Sequence, residues 1–100
     1  MNVEVLYFEG CPGVDELLPR LRDRVAGRAA IELHRIDSPE QAEVLGFLGS
    51  PTVRVNGVDV EPGATTRTDF GLKCRLYRSG GHHSHAPADE WIARALDRAT

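Results

Sequence analysis

The sequence predicts a mixed α/β domain, and three observations indicate this class. Strand-like apolar runs alternate with helical patterns in the order strand, helix, strand, helix, and then a hairpin and a last helix follow. The links between the first four elements are short, so a right-handed crossover should make the first two strands parallel. One hundred residues allow one hydrophobic core, and we therefore expect a single domain over residues 1–100.

The first strand and the first helix are separated by a turn that contains Cys11. Residues 3–8 are β-branched and aromatic, which is typical of a buried strand. Pro12 suits the first position of the following helix, where its missing N–H costs nothing. Pro19 lies inside the helical pattern and predicts a kink. The apolar residues at helical spacing are Val14, Leu17, Leu18, Leu21 and Val25.

The second strand, residues 31–36, leads into a helix with clear boundary signals. Ser38 suits the N-cap, Pro39 the first helical position, and Gln41 the third, which together make a capping box. Gly49 is the expected end of this helix. The expected inner stripe is Ala42, Leu45 and Leu48.

A β-hairpin follows, because residues 52–55 and 58–61 flank an Asn-Gly pair. A two-residue turn would pair Arg54 with Asp59 as a surface ion pair worth at most about 1 kcal/mol. The same register would place four valines on the core face: Val53, Val55, Val58 and Val60.

Residues 62–86 are rich in Gly, Thr, Ser and His and predict a long excursion, with a short strand near Cys74. The run His82–His85 lacks an acid or a cysteine at ligand spacing, so a solvated, flexible loop is favoured over a metal site. His34 is interpreted as a strand residue and not as a ligand. Pro87 reopens a helix whose inward residues are Trp91, Ile92, Ala95 and Leu96.

Several function classes receive no support from the sequence. A net charge of −3 gives no electrostatic reason to expect nucleic acid as a partner. No run approaches the roughly 20 apolar residues of a membrane span, and no leader pattern begins the chain, so the expected location is the cytoplasm. No Gly-x-Gly-x-x-Gly or phosphate loop is present, and we expect no cofactor. Two cysteines in that compartment favour a reactive, redox-sensing or metal-binding role.

The chain resembles the thioredoxin-like superfamily in three details. The stretch Tyr-Phe-Glu-Gly-Cys-Pro-Gly-Val at 7–14 is similar to the family's redox loop. Pro19 follows Cys11 by eight residues, as the kinking proline of the family's helix commonly does. Gly-Ser-Pro-Thr at 49–52 looks like the segment with the family's proline, usually cis, which packs beside the active cysteine.

This resemblance covers about residues 3–61 and 87–99. It implies a four-stranded mixed sheet with helices on both faces and assigns roles to Cys11 and Pro51. The family's Cys-x-x-Cys motif has its second cysteine where this chain has Val14, so a dithiol cycle within one loop is excluded. The chain looks most like small bacterial single-domain members with a Cys-Arg-Leu-Tyr segment. Some of these carry an alkylmercury-lyase label, which implies metal resistance, but no residue here supports carbon–mercury cleavage.

Cys11 is the expected nucleophile, because a helix N-terminus stabilises a thiolate. Nearby acidic residues, Glu9, Asp15 and Glu16, would oppose the same negative charge. The alternative is that Cys11 is packed as a small apolar residue. Cys74 has three interpretations: a resolving partner for Cys11, a second thiolate for a soft ion such as Cu(I), Zn(II) or Hg(II), or a buried, inert thiol.

The leading hypothesis is a thiol-based redox protein in which Cys11 attacks, Cys74 resolves the mixed disulfide, and Pro51 shapes an edge for a substrate strand. Its partner would be a thiol or disulfide of a protein or a small molecule. Two alternatives stay open. One is a carrier that binds a metal or mercurial ion through Cys11 and Cys74, and the other is an interaction module with inert thiols.

Overall fold

The computed structural model describes residues 1–99. The strands and helices are β1 (Val3–Tyr7), α1 (Gly13–Val25), β2 (Ile31–Arg35), α2 (Pro39–Leu45), β3 (Thr52–Val55), β4 (Val58–Asp59), β5 (Tyr77–Ser79), β6 (His82–Ser84) and α3 (Asp89–Ala99). A short 3-10 turn covers Ala64–Thr66.

The main sheet has four strands in the order β2-β1-β3-β4. Strand β1 is parallel to β2, with Val3 opposite Ile31, and antiparallel to β3, with Val3 opposite Val55. The β3–β4 pair is also antiparallel. The predicted mixed α/β class and the mixed four-stranded sheet are therefore confirmed.

Alternating residues of the strands enter two separate cores, because successive side chains point to opposite faces of a sheet. The larger core joins the sheet to α1 and α3 through fully buried residues that include Val3, Val5, Leu17, Leu21, Val53 and Ile92. The smaller core lies under α2 and consists of Leu6, Ile36, Ala42 and Phe47. The three helices thus cover both faces, and the inward residues predicted for α3 are buried.

The predicted start of α1 and the predicted end of α2 each need a small correction. Pro12 was expected as the first helical residue, but it is the N-cap, because α1 begins at Gly13. The Ser38 hydroxyl accepts a hydrogen bond from the Gln41 N–H, which confirms the start of α2. The predicted end at Gly49 is wrong, because Gly46 adopts φ +67° and its N–H bonds back to α2 carbonyls. The expectation that Leu45 belongs to the inner stripe is also wrong, because this residue is 41% exposed.

The β3–β4 hairpin has the predicted register, but two consequences drawn from it are wrong. Val58 is 52% exposed, although its partner Val55 is buried, because Val58 borders an open cleft beside the last turn of α3. Arg54 does not pair with the Asp59 carboxylate. Its guanidinium donates to the Leu45 carbonyl at 2.8 Å, and Asp59 pairs with Arg75.

The 62–86 segment is more regular than predicted. Strands β5 and β6 form a hairpin in which Ser79 lies opposite His82. Gly80 and Gly81 both have positive φ, which is what a tight two-residue hairpin turn requires. The expectation of a flexible loop over His82–His85 is therefore wrong, since its first part is a strand.

Within residues 1–99, no helix is both long enough and apolar enough to cross a membrane.

Candidate functional site

Cys11 and Cys74 are joined by a disulfide bond, with Cα atoms 5.6 Å apart and a sequence separation of 63. The separation is ordinary for a disulfide. The sequence left open whether these two residues meet, and the structure brings them together. The interpretation of Cys74 as a buried, inert thiol is wrong, because this residue is exposed and bonded to Cys11.

Cys11 lies immediately before Pro12, the N-cap of α1, whereas the expected start of the helix at Pro12 would have made Cys11 itself the N-cap. Cys11 is 7% exposed, whereas Cys74 is exposed, so the disulfide has one sheltered and one exposed half. No side chain caps the first turn of α1, and Asp15 and Glu16 lie in that turn. Cys11 is thus next to unpaired helix N–H groups and close in sequence to two carboxylates.

Cys74 is held beside the chain at Ser50 by backbone hydrogen bonds on both sides. The Ser50 N–H donates to the Lys73 carbonyl and the Arg75 N–H donates to the Ser50 carbonyl, both at 2.8 Å. These bonds make a short parallel bridge between Ser50 and Cys74. The peptide bond between Ser50 and Pro51 is cis, as the resemblance implied.

Pro51 packs against the start of α1, next to the Cys11 loop. A methyl group added to Gly13 would lie 2.8 Å from Cδ of Pro51 and would clash with the backbone carbonyl of His85. Only glycine therefore allows α1 to begin this close to Pro51.

We expect Gly13→Ala to lower the free energy of unfolding by about 2 kcal/mol or more, since neither neighbour is the end of a flexible side chain. Urea denaturation of the oxidised protein measures this loss. Gly71→Ala is the matched control, because a methyl group at that position meets no atom within 4 Å. Equal stability of the two variants would contradict the close packing of Pro51 on α1.

A buried ion cluster anchors the residue that follows Cys74. The Arg75 side chain is 1% exposed and its guanidinium donates to both Asp59 carboxylate oxygens, at 2.8 and 3.3 Å. It also donates to Glu61 at 2.6 Å and to the Thr52 hydroxyl at 3.0 Å. Burial alone would lower the pKa of Arg75, but Tyr77 and the two carboxylates outweigh burial and raise it. Arg75 is therefore a fixed cation that ties the Cys74 segment to β3 and to the chain around β4.

Tyr77 completes the attachment of this segment. Its hydroxyl donates to the Pro51 carbonyl, and its ring lies under the Arg75 guanidinium, 4.4 Å from the ring centroid. The ring also contacts Trp91 of α3 at a centroid distance of 6.2 Å. Tyr77 thus connects Pro51 and the Cys74 segment to the larger core.

Burial is the main reason that the pKa of the Tyr77 phenol lies well above its ordinary range. Because the folded-state pKa exceeds the unfolded value of about 10, this contribution to stability is complete below pH 10 and is lost as the pH rises above it. We expect the stability difference between wild type and Tyr77→Phe to shrink by up to about 1.4 kcal/mol per pH unit above that point. Urea denaturation between pH 8 and 11 tests this, and a difference that stays constant with pH would contradict it.

An exposed ion network supports the same segment at the surface. Asp69 accepts hydrogen bonds from Arg67, at 2.7 and 2.9 Å, and from Lys73 at 3.0 Å. Hydrogen bonds from Arg67 and then from Lys73 hold the pKa of Asp69 well below its usual range. Since these groups are largely exposed, salt screens the network, and the buried Arg75 cluster is the stronger anchor.

An open pocket of about 400 Å³ lies beside Cys11. Its walls come from the end of β1, the Cys11 loop and the first turn of α1: Tyr7, Phe8, Glu9, Gly10, Cys11, Pro12, Val14 and Asp15. Val14, which stands where the related redox motif has its second cysteine, contributes an apolar side chain. The sheltered half of the disulfide therefore borders an open pocket.

His34 lies on β2 between two carboxylates. Nε2 of His34 is 3.2 Å from Glu4 and 3.3 Å from Glu32, on neighbouring parallel strands of the sheet. The three ligand atoms of this group lie within 4.8 Å of one another. All three side chains are partly exposed, which fits the interpretation of His34 as a strand residue at the surface.

Sequence reasoning found both cysteines and Pro51 but missed the residues that position Cys74. Arg75, Asp59 and Glu61 are distant in sequence, and charged residues in a hairpin favour a surface assignment. The local pattern pointed the other way, because an apolar–polar alternation over Cys74–Tyr77 favours Leu76 as the buried residue. In the structure Leu76 is 49% exposed and Arg75 is buried.

Comparison of the chain with protein-family models, with curated proteins and with solved structures found no match in any of the three. The chemistry of the site and its geometry therefore carry the proposal of function.

Proposed function

We propose that this protein is a thiol–disulfide redox protein of thioredoxin-like fold, in which Cys11 and Cys74 form the reversible pair. The observation that carries the proposal is the Cys11–Cys74 disulfide, which joins a helix start to a segment fixed by a buried arginine. The sheet order β2-β1-β3-β4, with helices on both faces and a cis Pro51, supports the fold assignment. The partner is a thiol or a disulfide of a protein or a small molecule.

The reaction starts from the reduced protein. The Cys11 thiolate attacks a partner disulfide, a Cys11–partner bond forms, and one partner thiolate leaves. The Cys74 thiolate then attacks the Cys11 sulfur, the Cys11–Cys74 bond forms, and the second partner thiolate leaves. Two electrons pass from the protein dithiol to the partner disulfide, and the two protons of the dithiol end on the released thiols.

Preorganisation is the main contribution of the fold to this chemistry. The hydrogen bonds at Ser50 and the buried contacts of Arg75 do not involve the disulfide, so they also hold Cys74 near Cys11 when the bond is open. Holding two reacting groups close together replaces a bimolecular step by an intramolecular one. The second attack should therefore be much faster than the first.

Pro51 was expected to shape an edge for a substrate strand, but the hydrogen bonds of Ser50 favour a different role. The N–H and the carbonyl of Ser50 already pair with Lys73 and Arg75, so a substrate strand cannot use them without displacing the chain's own segment. We therefore assign Pro51 to positioning: it packs on Gly13 and accepts the Tyr77 hydrogen bond.

The test is reaction of the reduced protein with hydroxyethyl disulfide, which is neutral, followed by mass spectrometry. Wild type should lose both thiols without keeping an adduct, because Cys74 displaces mercaptoethanol. Cys74→Ser should keep one mercaptoethanol on Cys11, and Cys11→Ser should react more slowly, since its remaining thiol lies away from a helix N-terminus. Two thiols that persist in wild type, or a wild-type mercaptoethanol adduct that persists, would overturn the proposal.

A carrier of soft metal ions is the second candidate, and the convergence of the two sulfurs favours it. When reduced, two thiolates this close supply a two-coordinate site for Hg(II) or Cu(I). Titration of the reduced protein with Cu(I) separates the candidates. One tightly bound ion per chain, lost in Cys74→Ser, together with slow reaction with disulfides, would favour the carrier. Inertness in both assays would favour an interaction module.

A further inference from the structure

We propose that the partner disulfide is cationic, and that Glu9 and Asp15 select it at the pocket beside Cys11. This inference rests on the proposed redox function and deepens it by naming the class of substrate. Both carboxylates line the pocket, and no lysine or arginine does. The remaining walls are aromatic or aliphatic, or belong to the Cys11 loop itself.

The charges around the pocket leave an acidic excess. Within residues 1–99, Arg35 is the cation that contacts Glu9, and their distance of 3.5 Å is long for an ion pair. Arg35 lies closer to Asp37, at 2.9 Å, so its charge is shared between two carboxylates. Asp15 belongs to the exposed first turn of α1. A cation that enters this pocket therefore meets two carboxylates and, among the described residues, a single guanidinium that is also shared with Asp37.

The same carboxylates affect the nucleophile. Negative groups close to Cys11 oppose the negative charge of its thiolate. A cationic substrate held between them and Cys11 offsets that repulsion, whereas an anionic substrate adds to it. Selection thus acts both on the encounter with the substrate and on the attack by the thiolate.

The apolar part of the pocket defines the rest of the substrate. Tyr7 and Phe8 form a half-buried aromatic wall next to Cys11. Aromatic faces attract ammonium and guanidinium groups as well as aliphatic chains. The combination fits a disulfide flanked by lysine or arginine in an extended peptide, or a small disulfide that carries amines.

Three small disulfides of similar size test the selection: cystamine, which is dicationic, hydroxyethyl disulfide, which is neutral, and dithiodipropionate, which is dianionic. The rate of thiol loss from the reduced protein is measured with each. Every rate is divided by that of free 2-mercaptoethanol, an uncharged thiol, with the same disulfide, which removes intrinsic differences in reactivity. We expect the corrected rate for cystamine to exceed that for dithiodipropionate by about tenfold at low ionic strength. The ratio should fall in high salt.

Two matched variants locate the effect. The double variant Glu9→Gln/Asp15→Asn should bring the corrected ratio close to one. The double variant Asp23→Asn/Glu43→Gln removes two exposed carboxylates far along the sequence from the pocket and should keep the wild-type ratio. Loss of the preference in both variants would assign it to net charge and would overturn the inference.

The outcomes distinguish failure of the charge selection from failure of the proposed redox function. Rapid reaction with all three disulfides and a corrected ratio near one would overturn the charge selection and leave the redox function standing. Failure to form the Cys11–Cys74 disulfide with any of the three would overturn both. A preference for dithiodipropionate would overturn the assignment of Glu9 and Asp15 alone.

Discussion

Arg75→Met is expected to lower the free energy of unfolding by about 3 kcal/mol or more, because it leaves buried carboxylates without their cation. The Asp59 side chain is 9% exposed and that of Glu61 is 17% exposed. Arg67 lies 3.2 Å from Glu61 and compensates part of its charge, so most of the loss arises at Asp59. Urea denaturation of the oxidised protein measures the change.

A double-variant comparison separates this effect from lost packing. Asp59→Asn should destabilise the wild type but should stabilise the Arg75→Met variant, since it then removes an unpaired charge. Arg78→Met is the matched control, because Arg78 is exposed on β5, and its effect should stay within about 0.5 kcal/mol. A loss below about 1 kcal/mol for Arg75→Met would mean that the cluster does not anchor the Cys74 segment.

Removing the disulfide is expected to have the largest effect on stability. A link across 63 positions restricts the unfolded chain, and the chain-entropy relation gives about 4 kcal/mol for a loop of that size. Cys11→Ser and Cys74→Ser open the same loop, so both should lose about this amount in urea denaturation.

Reduction of wild type should match the two variants, because the bond and not the sulfur atoms supplies the stabilisation. A loss below about 1 kcal/mol would show that residual structure already restricts the chain between Cys11 and Cys74 in the unfolded ensemble. A much larger loss for Cys11→Ser alone would point to packing of Cys11 in the core, where it is 7% exposed.

The main sheet could be predicted from local signals because each of them acts within a few residues. The Asn-Gly turn fixed the β3–β4 register, and Ser38 with Gln41 fixed the start of α2. The errors arose at positions where tertiary packing determines burial or the end of a helix. Val58 belongs to the apolar face by its register, yet it borders an open cleft beside α3 and is 52% exposed. The end of α2 was misplaced because a left-handed glycine at Gly46 was available before Gly49.

The candidate site was only half predictable. Cys11 could be placed because a strand, a turn and a helix start surround it in sequence. The position of Cys74 depends on Arg75, which finds Asp59 and Glu61 through folding and not through spacing. No local pattern indicates a buried ion cluster between distant segments. The sequence therefore could not show whether Cys11 and Cys74 are close in space.

The central claim is that Cys11 and Cys74 form a reversible pair in a protein that stays folded in both states. The most direct measurement is redox titration of the purified protein with dithiothreitol buffers, with thiols counted and circular dichroism recorded at each point. We predict one two-electron transition that reverses completely, with helix and sheet signals retained in the reduced form. Unfolding on reduction, or failure to recover the Cys11–Cys74 bond on reoxidation, would contradict the claim and make the disulfide a structural link.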